Sequence, residues 1–273
     1  MARNRSNVLG GLAGFAWLLV VLVPVYYIVV TSLRRQSGFF AANPLSLPGD
    51  PTFENYRLVL DNGFLRYLVN SAIVTAGTVV VTLAVSLLAA YYVVRGRTRF
   101  SATTYKIFLL GLAIPLQATI IPIYYLITRA HLYDTLLAIV LPSVAFAIPL
   151  SVVILANFLR DVPNELFESM RVDGAGHWRM LGSLVLPMVK PAMVTVAVYD
   201  GLNVWNGFLF PLILTQSSDQ RVLPMALWAF QGQFQVNIPA VLAAVVLSTL
   251  PVLALYILGR RYLVTGLTAG FGK

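Results

Sequence analysis

Asp200, Asn203 and Gly207 fall at i, i+3 and i+7 of an otherwise apolar run, with Trp205 and Asn206 on the flanks. On a helix this spacing brings an acid and two amides to about one side. A carboxylate at mid-membrane depth costs at least ~2.5 kcal/mol on insertion scales unless it is paired, hydrated or protonated. Asp200 should therefore face water, a partner or a ligand. Acid and amide hydrogen bonds combined with aromatic stacking are the means by which sugars are recognised, and Tyr199, Trp205 and Phe208 lie close by in sequence. The alternative use of the same acid is a structural hydrogen bond to another helix. Gln117, in a second apolar run, is a further candidate of this kind.

No catalytic constellation accompanies these residues. The chain has no cysteine, and His131 and His177 are far apart and share no ligand spacing, so metal or thiol chemistry has no support. The tail GLTAGFGK has the look of a phosphate loop, but Gly266 is one residue too far from Gly272 and Lys273, and no Ser or Thr follows.

The stretch from 163 to 187 is the one long run that is neither lipid-apolar nor simple loop. Pro163 and Asn164 suit a helix start, and Glu165 and Glu168 lie in the first turns, where the helix dipole favours negative charge. Gly174 suits the positive φ that ends a helix, and Asp173 is placed to cap a second, short amphipathic helix carrying Trp178, Met180 and Leu181. Two short helices joined by a glycine corner, flanked by membrane spans, cannot bury their own faces. They need another protein surface or the bilayer interface, and the segment is expected to be a docking element.

The elements that hold these residues are membrane helices. The chain has 273 residues, 59% of them hydrophobic and 11% charged, which leaves little for a soluble domain. The expected fold is an all-α integral membrane protein, one permease-like domain with spans at about 8–32, 68–94, 105–128, 136–159, 188–214 and 238–258. The first span is too long for a signal-peptide core and lacks a small-x-small cleavage site. The Pro- and Asn-rich stretch that follows it reads as an ordered extracytoplasmic loop. Ser71, Thr75, Thr78 and Thr82 put small hydroxyl residues on one face of the second span, a pattern of close helix packing. Prolines 115, 122, 142 and 149 fit kinked helices around a pathway.

The net charge of +9 is distributed at the ends of apolar runs, which argues for membrane topology and against nucleic-acid binding. With the amino terminus inside, the inner ends hold Arg3, Arg5, Arg95, Arg97, Arg99, Lys106, Arg160, Arg171, Arg179, Lys190, Arg260, Arg261 and Lys273. They outnumber the outer Arg34, Arg35, Arg57, Arg66, Arg129 and Arg221. Both termini and the docking segment are then cytoplasmic. The Arg95–Arg99 turn is expected to lie against anionic lipid head groups.

Glu168, Asp173, Gly174, Ala175, Leu186 and Pro187 stand in the positions of the "EAA" loop, E-A-A-x-x-D-G-A followed by L-P, and the segment resembles the cytoplasmic signature loop of ATP-binding-cassette importer permeases. Ser169 and Met170 replace its two alanines. PVYYIVVTSLR, ENYRLVL, Asn70-Ser71, PLQATIIPIYYL, FLFPLIL and the closing RYLVTGLTAGFGK extend the resemblance to carbohydrate-type permeases of the maltose-transport group, and to the smaller permease of the pair. One departure is Gly207, where such permeases often read W-N-D-F.

The resemblance implies a type I importer architecture in the bacterial cytoplasmic (inner) membrane. Implied partners are a second permease, two ATPase subunits that bind ATP and Mg, an extracytoplasmic solute-binding protein and the lipid bilayer. This chain would bind no cofactor and have no ATPase site. Glu168, Asp173, Gly174, Ala175, Trp178 and Pro187 would couple to the ATPase; Asp200, Asn203, Trp205, Asn206 and Gln117 would contribute to the substrate pathway. The competing readings are the same importer with a polyol or glycerol-phosphate cargo, a non-transporting scaffold subunit, and a stand-alone secondary transporter, for which Asp200 is the one available ion-coupling acid.

Overall fold

The computed structural model describes residues 8–40, 43–96, 98–226 and 236–269, with side chains in the last helix described only as far as 257 and not at 255. Among these residues the chain is helical, with no β-strand. In order, the helices are α1 (Val8–Ser32), α2 (Gln36–Phe39), α3 (Glu54–Asp61), α4 (Phe64–Arg95), α5 (Arg99–Gly111), α6 (Ile120–Arg129) and α7 (Leu136–Arg160). They continue as α8 (Asn164–Val172), α9 (His177–Met180), α10 (Leu186–Trp205), α11 (Leu209–Leu214), α12 (Leu223–Ala226) and α13 (Ile238–Ala269). Arg3, Arg5, Arg97, Lys273 and the end of the closing segment lie outside the described residues.

Four helical stretches are long and apolar enough to cross a bilayer: α1, α4, α7 and the continuous stretch His177–Trp205. The third expected span is not one helix. α5 and the stretch Leu116–Arg129 meet at 96°, so the pair is a broken span or a re-entrant element. The cause is local. α5 ends at Gly111; Pro115, extended at φ −71° and ψ 125°, has no N–H to offer a helix and disfavours helical backbone at the residue before it, and a 3-10 turn, Leu116–Thr119, then restarts the chain. The fifth expected span also breaks, at residues 206–208, before α11 resumes. α13 runs past the expected end of the sixth span, although its apolar described part, Ile238–Ala254, is short.

The chain divides into two compact units, Met1–Leu65 with Ala226–Pro251 and Arg66–Met225 with Val252–Lys273. In the first, the loop after α1 is ordered by polar contacts, as its composition predicts. Arg34, 4% exposed, donates to the carbonyls of Asn43, Pro44 and Ser46, while Asn55 donates to the carbonyls of Ser32 and Arg34 at 2.8 and 2.7 Å. In the second, one apolar core joins Leu87 and Ala90 of α4, Leu155 and Leu159 of α7, and Val189 and Val196 of α10. Another joins Val74, Ile139, Val144, Phe210 and Leu214. The hydroxyl face of α4 is packed: Thr78, Thr82 and Ser86 are fully buried, and a Cβ on Gly201 of α10 would lie 3.9 Å from the Thr75 side chain.

Candidate functional site

The docking segment has the predicted form of helix, corner and helix. Pro163 precedes α8 as its N-cap, with Asn164 and Glu165 in the first turn. Gly174 adopts φ +74°, the left-handed conformation that costs a side-chain-bearing residue roughly 1–2 kcal/mol. The corner closes with Gly174 N–H donating to the Arg171 carbonyl at 3.0 Å and Ala175 N–H donating to the Met170 carbonyl at 2.8 Å. Asp173 does not cap the second helix. It ends α8 with near-helical backbone, and the extended conformation that an N-cap needs falls on Gly176, at φ −75° and ψ 171°.

Each arm of the segment has one buried and one open face. Phe167, Ala175 and Met180 sink into the core formed by α4, α7 and α10. Glu168 and Asp173 are exposed, and Val172 and Trp178 stay 87% and 77% exposed. Val172 and Trp178 thus stand exposed on either side of a glycine corner with open space around Gly174. A five-residue π-helical turn, Leu181–Val185, then joins α9 to α10, with Pro187 at its start, so the docking segment runs directly into the helix that carries Asp200.

Arg95 does not lie free for lipid head groups. Its guanidinium stacks over the Phe167 ring at 3.9 Å from the centroid and donates to Asn164 Oδ1 at 2.7 Å. One turn earlier on α4, the Tyr91 hydroxyl pairs with His177 Nδ1 at 3.1 Å. Sequence patterning gave no signal for these contacts, because Tyr91 and Arg95 read as an ordinary interfacial end of a span.

Asp200 is 2% exposed and accepts a hydrogen bond from Ser151 of α7 at 2.9 Å. It also lines a cavity of about 350 Å³ together with Tyr199, Asn203, Gly207, Phe208, Ser143 and Phe146. Asp200 therefore bonds to another helix and also lines a cavity. The Asn203 and Asn206 amides donate to the Tyr199 and Leu202 carbonyls of their own helix, each at 2.8 Å. Their side-chain oxygens remain as acceptors. Gly207 lies just past the end of α10, where a Cβ would come 3.0 Å from the Val204 carbonyl oxygen. Trp205, Asn206 and Gln117 are not among the lining residues of this cavity; Gln117 is exposed in the 3-10 turn beside Leu116, which does line it. Ser143, Phe146 and Ser151 were not evident as site residues from sequence, since isolated hydroxyls and aromatics in an apolar span have no distinctive spacing.

Residues 82–267, which hold the docking segment, α10 and the cavity, match the family described as binding-protein-dependent transport system inner membrane component. The chain belongs to that family. It is 38% identical over 257 residues to a putative ABC transporter permease protein of Caldicellulosiruptor sp., covering 94% of each chain. It is 31% identical over 257 residues to the diacetylchitobiose uptake system permease protein NgcG of Streptomyces coelicolor, covering 93% of this chain and 85% of that one. Its fold is similar to that of a chain in the crystal structure of a bacterial ABC transporter involved in the import of the acidic polysaccharide alginate, with a TM-score of 0.80, 21% identity, and coverage of 96% and 99%. As an inner membrane component with several apolar helices, the chain is a multi-pass membrane protein.

Proposed function

We propose that this chain is the permease subunit of an ATP-driven importer of uncharged sugars or oligosaccharides. In this reading it crosses the membrane six times as one permease domain, counting α5–α6 as one crossing and α13 as the last, with both termini and the docking segment cytoplasmic. It pairs with a second permease and receives cargo from an extracytoplasmic solute-binding protein. Two separate ATPase subunits bind ATP and Mg, and one of them docks on the segment from 163 to 187.

The observation that carries this reading is the two-faced docking segment. Phe167, Ala175 and Met180 root it in the permease core, while Trp178 and Val172 flank an open glycine corner. Among the described residues nothing covers that outward apolar surface, and an ATPase cleft would. In the coupling role, Glu168, Asp173 and Pro187 shape and charge the contact, and Gly174 and Ala175 permit close approach.

Asp200, Asn203, Trp205, Asn206 and Gln117 form this subunit's share of the pathway. Asp200 and Asn203, with Phe208 and Tyr199, supply the hydrogen-bonding and aromatic groups that hold a sugar ring. No Arg, Lys or His is among the cavity's described lining residues, which favours an uncharged cargo over a phosphorylated or uronic one. The 31% identical diacetylchitobiose permease supports the sugar class.

The test is an affinity pull-down of this chain from its native membrane in mild detergent, followed by mass spectrometry. Recovery of a second permease and an ATPase subunit is the expected outcome. Recovery of this chain alone, stable and monodisperse, overturns the reading.

A further inference from the structure

Both ends of α4 are tied to other parts of the second unit. At its carboxyl end, Arg95 holds α8 through Phe167 and Asn164, and Tyr91 holds α9 through His177. One helix end thus grips both arms of the docking segment, on opposite sides of the Gly174 corner. At its amino end, Asn70, 7% exposed, donates to the carbonyls of Asp219 and Arg221, each at 2.8 Å. Ser71 accepts from Leu223 N–H at 2.8 Å, and Arg66 pairs with Asp219. Between these attachments α4 is a single helix of 32 residues, about 48 Å long at 1.5 Å per residue.

We propose that α4 is a tie rod that carries displacement of the docking segment to the loop at 218–223, with Arg95, Tyr91 and Asn70 as its positioning residues. This inference rests on the importer reading above. A packed helix is stiff along its axis, so a shift imposed on α8 and α9 moves the far attachment with it. The path runs alongside α10, with which α4 shares an apolar core, and gives the importer two routes from the docking segment: one through the π-turn to the Asp200 cavity, the other along α4 to the loop at 218–223. The buried Asn70 bonds matter more than the exposed Arg66–Asp219 pair, which solvent screens.

The absence of cysteine permits a direct test. Ser218→Cys is introduced into the complete transporter in nanodiscs of phosphatidylethanolamine and phosphatidylglycerol, and maleimide labelling of this chain is timed with and without Mg·ATP and vanadate. The nucleotide is expected to change the labelling rate at least threefold in the parent. Arg95→Met or Asn70→Ala should reduce that response by half or more while the ATPase subunits stay bound and hydrolytically active. Arg95→Lys, which keeps a cation over Phe167, should restore most of it. An unchanged response in both Arg95→Met and Asn70→Ala, or no nucleotide response in the parent, overturns the tie rod. Asn70→Ala carries the test if the Arg95 variant fails to assemble, because it leaves the docking segment untouched. Failure of any ATPase to co-purify with the parent overturns the importer reading instead.

Discussion

The Ser151 hydroxyl of α7 donates to the Asp200 carboxylate of α10 at 2.9 Å, so the acid beside the cavity is held by a neutral partner from a different helix. A neutral anchor fixes the position of the carboxylate without consuming its charge, and leaves further lone pairs to accept hydrogen bonds from a ligand. Position and recognition are therefore separable by mutation.

Asp200→Asn keeps the shape and an acceptor for Ser151 but removes the charge. It is expected to raise the KM for sugar uptake or change cargo preference in reconstituted vesicles while leaving assembly intact. Ser151→Ala leaves a buried carboxylate without its donor, a loss of about 1–3 kcal/mol. Its thermal unfolding midpoint in detergent should fall. Loss of assembly by Asp200→Asn, with unchanged affinity and cargo preference in whatever complex still forms, would assign the acid to structure alone.

Gly174→Val is expected to uncouple. The φ of +74° is hostile to a β-branched residue, although the space around the position is open, so the damage arises in the backbone of the corner and not in the core. Uptake should fall at least tenfold while ATP hydrolysis by the assembled complex persists. Gly174→Asn, which tolerates the left-handed region, should retain most of the coupling.

Trp178→Ala tests the docking surface without disturbing the fold, since the side chain is 77% exposed. Truncating a central aromatic anchor of an interface typically costs 2 kcal/mol or more. Retention of the ATPase subunit during purification should weaken at least tenfold, with the unfolding midpoint of the isolated chain unchanged.

Asp134 gives a pH dependence of known sign. Its carboxylate accepts from the backbone N–H of Gln216 and Ser217 and from the Ser217 hydroxyl at 2.8, 3.0 and 3.1 Å, and these bonds, that from Gln216 first, hold its pKa below the usual carboxylate range. A depressed folded-state pKa stabilises fully above the unfolded-state value, about 3.9. The contribution is lost as pH falls through the lower folded-state value. Hydrogen exchange at residues 216 and 217 should therefore be faster in Asp134→Asn than in the parent at pH 7, and the difference should shrink on acidification below the normal aspartate range. A difference independent of pH would refute the assignment.

The docking segment and the helical membrane class were legible in the sequence because they depend on local chemistry. Gly174 takes the left-handed conformation wherever a helix must turn sharply there, and apolar runs of the length of α1 and α7 form helices whatever surrounds them. Asp200, Asn203 and Gly207 could likewise be placed on one side of a helix from their spacing alone. Tertiary structure decided what these residues meet. That Ser151 is the partner of Asp200, that Arg95 stacks on Phe167, and that Asn70 seizes the loop at 218–223 depend on which helices pack together, and residues 49, 72 and about 150 positions apart in sequence carry no periodic trace of that. The break at Pro115 lay between these cases: the proline signalled a disturbance, but a kinked span and a 96° turn share that local signal, and only the structure shows which of them forms.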